Sequence, residues 1–328
     1  MQAAWFERFG PAAEVLRVGE LPTPAPGPGE VLVRLHTSAP NPSDVRKRAG
    51  AAPSLLDGGA VIPHSDGAGV IEAVGEGVPA SRVGERVWVY QAQHGRRFGT
   101  AAQYLTIASR RAPRLPNGAS FAEGACLGIP AMTAHRCVFV DGAPRGERVL
   151  ITGGAGRVGA YALQWAAAAG ATVIATASNP RDRADCLALG AHHVVNHREP
   201  GWATQVLSAT GGARVDRVID VEFGANLPEV LDCIRTGGTI ATYASVQVPE
   251  PCLPFRRMMF MDLTIRMVIV YDMPEAAKDA AVHDINSAIA AGRLQHRIGA
   301  TLPLARIAEG HALIEAGQLR GGVVLEID

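Results

Sequence analysis

Cysteine is scarce in this chain of 328 residues. Cys126, Cys137, Cys186, Cys233 and Cys252 are odd in number, scattered, and mostly set in apolar segments. No Cys-x-x-Cys pair occurs, so a four-cysteine zinc site has no ligand set and a disulfide framework has no support; the five read as small core residues. Net charge is absent too, with 31 Lys plus Arg against 31 Asp plus Glu, which recommends neither a polyanionic partner nor a membrane surface. Aromatic residues make up only 5%. None interleaves with the one modest basic cluster, Arg110, Arg111 and Arg114, so nucleic acid is disfavoured as a partner. The opening MQAAWFERFG lacks the basic end and apolar core of a signal peptide, and no apolar run approaches membrane-spanning length. These absences lead to the expectation of a cytoplasmic protein. With 48% hydrophobic residues, the chain has enough for real cores, in two domains or one large one.

What is present is concentrated between Val149 and Gly159, where VLITGGAGRVG runs from a β-branched apolar strand into Gly154-x-Gly156-x-x-Gly159 and then a helix. Strand, turn and helix in that order form a dinucleotide-binding turn. Gly154 is expected to allow the tight turn, Gly156 to let backbone approach a pyrophosphate, and Gly159 to let the helix lie close on the sheet. Ala155, Arg157 and Val158 complete the candidate phosphate cradle. The helix is expected over Val158 to Ala169, stopped at Gly170.

An acid normally ends the next strand and binds the ribose hydroxyls of NAD. Here Ala177 stands in that place, followed by Ser178, Asn179, Arg181 and Arg183. A 2'-phosphate calls for hydroxyls and guanidinium groups and is repelled by a carboxylate, so NADPH is the better match. Read locally, the two arginines are equally ordinary solvated residues at a helix start.

The first third is β-rich, with short strands at Val31 to Thr37, Gly69 to Gly75 and Arg86 to Gln91 between Pro and Gly turns. The proline-rich 21–30 stretch reads as a rigid extended loop. From Ser120 the texture changes. Ser120 and Glu123 fit a capping box, Pro130 interrupts the helix that follows, and Ala131 to Val140 resumes it. Five strands then alternate with helices from Val149 to Ala244, which predicts a parallel, doubly wound α/β sheet with its ligand at the carboxyl ends of the strands. The tail carries a helix to Ala291, a strand near Arg297 to Leu302, a helix to Ala316 and a last strand from Val323 to Ile327. Periodicity alone leaves open which sheet the tail joins.

Several strings coincide in order: NPSDVRKRAG at 41–50, PHSDGAGVIEAVG at 63–75, GERV at 84–87, GTAAQY at 99–104, GIPAMTA at 128–134, the glycine turn, and NHRE at 196–199. Together, over nearly the whole chain, they resemble the zinc-free, zeta-crystallin-like quinone oxidoreductase branch of the medium-chain dehydrogenase/reductase superfamily. The resemblance implies a Rossmann NADPH-binding domain over 123–271, inserted into a discontinuous GroES-like β-rich catalytic domain at 1–122 and 272–328. It also implies NADPH in the cleft and a homodimer joined through Rossmann edges. Zinc relatives carry a Cys early and a His-Glu pair later. The corresponding places here hold Ser43 or Asp44 and His64-Ser65-Asp66, so no catalytic zinc is expected.

Lacking a Lewis acid, such a protein suits an acceptor that takes hydride readily, a quinone or an electron-poor alkene, with NADPH positioned as donor. The resemblance places Asn41 near nicotinamide and acceptor, where its amide could bond developing oxyanion charge; an Asx turn before Pro42 is the local alternative. Arg46 stands where many relatives have Tyr and puts a cation at the acceptor. Reduction of an activated C=C bond, the second hypothesis, needs a proton donor, and His64 or solvent would supply it because no Tyr lies between Phe6 and Tyr90. The resemblance adds Thr133, His197, Tyr243, Val270 and Tyr271 as cofactor contacts. Local readings remain for four of them: a hydroxyl bonded along its own helix for Thr133, a bare surface ring for His197, and a buried or dimer-forming strand for Val270 and Tyr271. A third hypothesis is a non-catalytic protein that binds NADPH or RNA.

Overall fold

The computed structural model describes all 328 residues, and the chain divides into two compact units, Met1–Ile129 with Val282–Asp328, and Pro130–Ala281. Both divisions fall somewhat later in the chain than the sequence expectation, the second inside the long helix Glu275–Ala290.

In the first unit the strands are β1 (Gln2–Trp5), β2 (Arg17–Glu20), β3 (Glu30–Ala39), β4 (Asp66–Val74), β5 (Arg86–Val89) and β6 (Tyr104–Ala108). β3 is the longest. Its EVLVRLHTSA sequence alternates so that Val31, Val33, Leu35 and Thr37 turn inward, the two-residue period of a strand with one face on a core. β4 pairs antiparallel with β3 along its whole length, and β6 pairs antiparallel with the first half of β3.

The second unit is a single parallel sheet of β7 (Arg148–Ile151), β8 (Thr172–Thr176), β9 (His193–Val195), β10 (Val215–Asp220), β11 (Ile234–Thr242) and β12 (Thr264–Met267). The order across the sheet is β12-β11-β10-β7-β8-β9, so the chain reverses direction between β7 and β10. In an open doubly wound sheet that switch point is where a ligand binds. Helices between the strands bury apolar faces on the sheet. Among them are Leu227, Val230 and Leu231 of the helix Phe223–Cys233, clustered with Leu150, Ile174, Val218 and Ile240. Arg217 of β10 is buried. Its guanidinium donates to the carbonyls of Val138 and Gly142, satisfying the carboxyl end of the helix Met132–Phe139.

The tail then rejoins the first unit. β13 (Ile298–Pro303) runs parallel to β14 (Gly322–Glu326), and β14 pairs antiparallel with β3 at Ser38 and Thr37. β3 therefore has β4 on one side, with β6 and then β14 sharing the other. The core combines Val31, Val33, Leu35, Ile71, Val87 and Leu105 with Ile307, Val323 and Leu325 from the tail.

Candidate functional site

In the second unit, functional groups gather at the carboxyl ends of β7, β8 and β10. The helix Arg157–Ala168 begins at the glycine turn, one residue earlier than expected. The left-handed residue of that turn is Gly153, with φ 62°, and not Gly154. Gly154 instead packs inward, where a Cβ would stand 2.9 Å from both the Ala175 methyl and the Cys186 Sγ. At Gly159 a Cβ would lie 2.3 Å from the Gly153 carbonyl oxygen, so the helix seats close under the turn only without a side chain. Gly156 is the N-cap, and its Cβ would meet only that same carbonyl, at 3.0 Å. These residues fit a dinucleotide pyrophosphate: helix amides come to an open, glycine-lined start.

Thr176, not singled out from the sequence, holds this turn by accepting from the Gly153 amide at 2.9 Å. At the switch point, the Thr152 hydroxyl donates to Asp220 Oδ1 at 2.5 Å, and Asn226 Nδ2 donates to the same oxygen at 2.8 Å. Asp220 is buried and its carboxyl is held above the usual carboxylate range, by burial first of all. Past β8, Ala177 is buried and Ser178 half-buried, and Asn179 caps the helix Pro180–Ala188 by accepting from the Asp182 amide at 2.9 Å. The two arginines separate here. Both are exposed, but Arg183 donates its guanidinium to the Val194 carbonyl, whereas Arg181 stands on the first turn of the helix.

In the first unit, the helix Pro42–Arg46 follows Asn41, with Pro42 in its first turn and the Asp44 carboxylate accepting from the Asn41 amide at 2.8 Å. The Asn41 side-chain Nδ2 donates to Asp66 Oδ2 at 2.8 Å, and its other hydrogen reaches the Ala39 carbonyl only at 3.4 Å. Asp66 Oδ2 also accepts from the Ile129 amide at 2.8 Å, which fixes the carboxyl group from a second side. Burial, and then the neighbouring Asp44 charge, push the Asp66 carboxyl up to about 8 against the pull of those hydrogen bonds. Asp66 is therefore the residue that orients the Asn41 amide. Its signal in sequence was only a place in the 63–75 string.

Arg46 is exposed at the end of its helix, and next to it Lys47 Nζ reaches Gln93 Oε1 at 3.5 Å. His64 requires a correction. Its ring has no exposed surface, with Nδ1 on Ser38 Oγ at 2.9 Å and Nε2 on His311 Nε2 at 2.8 Å, so it is not presented as a proton donor. No three His, Cys, Asp or Glu side chains gather where they could hold a metal ion.

Two family models match the chain: an alcohol dehydrogenase GroES-like domain over residues 27–117 and a zinc-binding dehydrogenase over residues 158–286. Human quinone oxidoreductase is 30% identical over 315 residues, covering 95% of this chain and 93% of that protein. The chain belongs to the quinone oxidoreductase branch of the medium-chain dehydrogenase/reductase superfamily. Among solved structures, an NAD-dependent alcohol dehydrogenase superposes with a TM-score of 0.87 at 29% identity, covering all of both chains. A mycobacterial protein complexed with NADPH superposes with a TM-score of 0.88 at 27% identity, covering 99% of this chain and 100% of that one. Membership makes this protein an oxidoreductase of Rossmann and GroES-like build, with a nicotinamide dinucleotide as its cofactor class.

The remaining residues suggested by the branch resemblance lie as follows. Thr133 is buried in the helix Met132–Phe139, Val270 is buried, Tyr271 is half-buried and His197 is exposed. Tyr243 follows β11, and its hydroxyl is held well above the usual range by burial and by Cys137 and Asp220 nearby. Four cysteines are buried and Cys252 is exposed, all with free thiols. No helix is long and apolar enough to cross a membrane.

Proposed function

We propose that this protein is an NADPH-dependent quinone oxidoreductase. When bound, NADPH would supply the two-electron reductant, a hydride that together with one solvent proton would convert a quinone to its hydroquinone and the coenzyme to NADP⁺. The protein's part is binding and orientation. The amides at the start of the helix Arg157–Ala168 receive the pyrophosphate, and Ser178 with Arg181 receives the 2'-phosphate, since Arg183 is committed to Val194. Thr133, Tyr243, Val270, Tyr271 and His197 are the further cofactor contacts in this reading.

The observation that carries the reading is the contact between Asn41 and Asp66. One amide hydrogen is anchored at 2.8 Å, so the weakly held second hydrogen is aimed and available for an oxygen that gains negative charge as hydride arrives. Arg46 adds an exposed cation on the same short helix.

The test is steady-state oxidation of NADPH and of NADH with a small quinone and with an enal. Quinone turnover that prefers NADPH, and that falls about a hundredfold in Asn41→Ala with NADPH still bound, supports the reading. Turnover of the enal alone would transfer the protein to reduction of activated C=C bonds. NADPH bound without oxidation by either acceptor would remove the enzymatic reading of this site.

We further infer a homodimer in the cytoplasm. β12 is an edge strand with no partner on its outer side, and exposed Met267, Ile269, Phe255 and Phe260 lie on it or close to it in sequence.

A further inference from the structure

We infer that His64 and His311 form a buried, neutral dyad in which His311 Nε2–H donates to His64 Nε2, and that this dyad positions Asp66 and through it Asn41. The inference rests on the reading of Asn41 as the donor to the acceptor oxygen.

The chain of contacts has one consistent direction. Thr100 Oγ1 donates to the Asp66 backbone carbonyl at 2.7 Å. A hydroxyl carries a single hydrogen, so at the 2.7 Å contact between Ser38 and Thr100 the donor is Ser38. Ser38 has then spent its hydrogen, and the 2.9 Å contact to His64 must be made by His64 Nδ1–H. Neutral His64 is left with Nε2 as an acceptor, so across 2.8 Å the donor is His311 Nε2–H. His311 Nδ1 ends the chain as a bare acceptor, and it is one of the buried atoms without a hydrogen-bond partner. The reverse order would bury an unpaired N–H there and leave the Asp66 carbonyl without the Thr100 hydrogen, the costlier arrangement.

Two further observations indicate that the dyad is held against a cost. His64 has φ 79°, in the left-handed region that glycine occupies without penalty, so the ring is retained at the expense of backbone strain. His311 sits on the helix Ile307–Ala316, and on the same helix Glu315 pairs with the buried Arg48 guanidinium, which also bonds the Gly10 carbonyl. That helix is thus tied both to the segment leading out of the Asn41 helix and to the loop leading into β4. Burial and the Arg48 charge keep His311 neutral, its value falling to about 3, and burial with His311 beside it keeps His64 neutral.

The experiment uses the full chain with isotope-labelled histidine and asparagine. Long-range proton–nitrogen spectra should report His64 protonated on Nδ1 and His311 on Nε2, with neither ring titrating between about pH 5.5 and 8. In His311→Leu the Asn41 side-chain amide should exchange with solvent at least about tenfold faster, and the quinone KM should rise about tenfold with NADPH affinity unchanged. His311→Gln, whose amide still donates to His64 Nε2, should recover most of both effects. His64→Gly, comfortable at that φ, should reproduce the Leu variant in case His311→Leu does not fold. A proton on His64 Nε2, a ring titrating near pH 6.5, or unchanged Asn41 exchange in the Leu and Gly variants would overturn the inference. The tautomers and the exchange rates do not depend on turnover, so they are read even if quinones prove not to be the acceptor.

Discussion

Asp66 Oδ1 lies against the backbone of Gly128, 2.0 Å from where a Cβ at that residue would stand. The carboxyl group is already pinned through Oδ2 to Asn41 and Ile129, so it cannot swing aside cheaply. Gly128→Ala is expected to destabilise the fold by about 1–3 kcal/mol, the cost of overpacking a tight interior. It should also raise the quinone KM by releasing Asn41. Chemical denaturation and steady-state kinetics check the two parts, and a neutral outcome in both would mean that the carboxyl group can relocate.

The buried ionisable groups of the first unit act on stability in opposite directions. The histidine pair has folded values below the ordinary 6.5, so the unfolded chain binds more protons as pH falls through 6.5 toward about 3. Its contribution is complete above pH 6.5 and is lost on acidification. Asp66 has a folded value near 8 against an ordinary 3.8, so the native state holds the extra proton between them. Its contribution is complete below pH 3.8 and is lost as pH rises toward 8. Subtracting Asp66→Asn from the wild type should therefore leave a stability difference that declines steadily over that interval. A flat difference in urea midpoints across it would show an Asp66 that titrates normally.

The separation of Arg181 from Arg183 makes cofactor preference testable at one residue. Arg181→Glu should weaken NADPH binding by about tenfold or more and leave NADH binding nearly unchanged, because only the former carries the 2'-phosphate. Arg183→Ala should act on stability through the lost Val194 contact. Fluorescence titration with both coenzymes distinguishes them, and equal losses for NADPH and NADH in Arg181→Glu would place the phosphate elsewhere.

A charge on the outer edge of the parallel sheet should prevent strand-to-strand association. Met267→Lys, at a side chain that is 72% exposed, is expected to yield monomers with full NADPH binding. Light scattering after gel filtration reads the mass. A wild type that is itself monomeric at micromolar concentration would end the dimer proposal.

The glycine turn and its helix, the strands at 148–151 and 172–176, and the helix stops in the tail were readable because each depends on neighbours within one or two turns of chain. The strands β1, β2 and β6 are not legible in the sequence alone. β6 depends on pairing with β3, β2 on pairing with β1, and β1 on β2 together with a bridge from Ala3 to Ala102, and four or five residues carry too little periodicity alone. Arg181 and Arg183 looked alike in sequence, and only the approach of β9 to the helix Pro180–Ala188 decided which was engaged.

By itself, the sequence determined the order of strand, turn and helix, the acid-free end of the second Rossmann strand, and the scarcity of cysteine, since these are properties of composition and short-range spacing. Tertiary structure decided the placing of the tail on β3, the hold of Asp66 on Asn41, and the meeting of His64 with His311 across 247 residues. Hydrogen bonds between distant segments depend on which sheet faces come together, and no local pattern of residues encodes that.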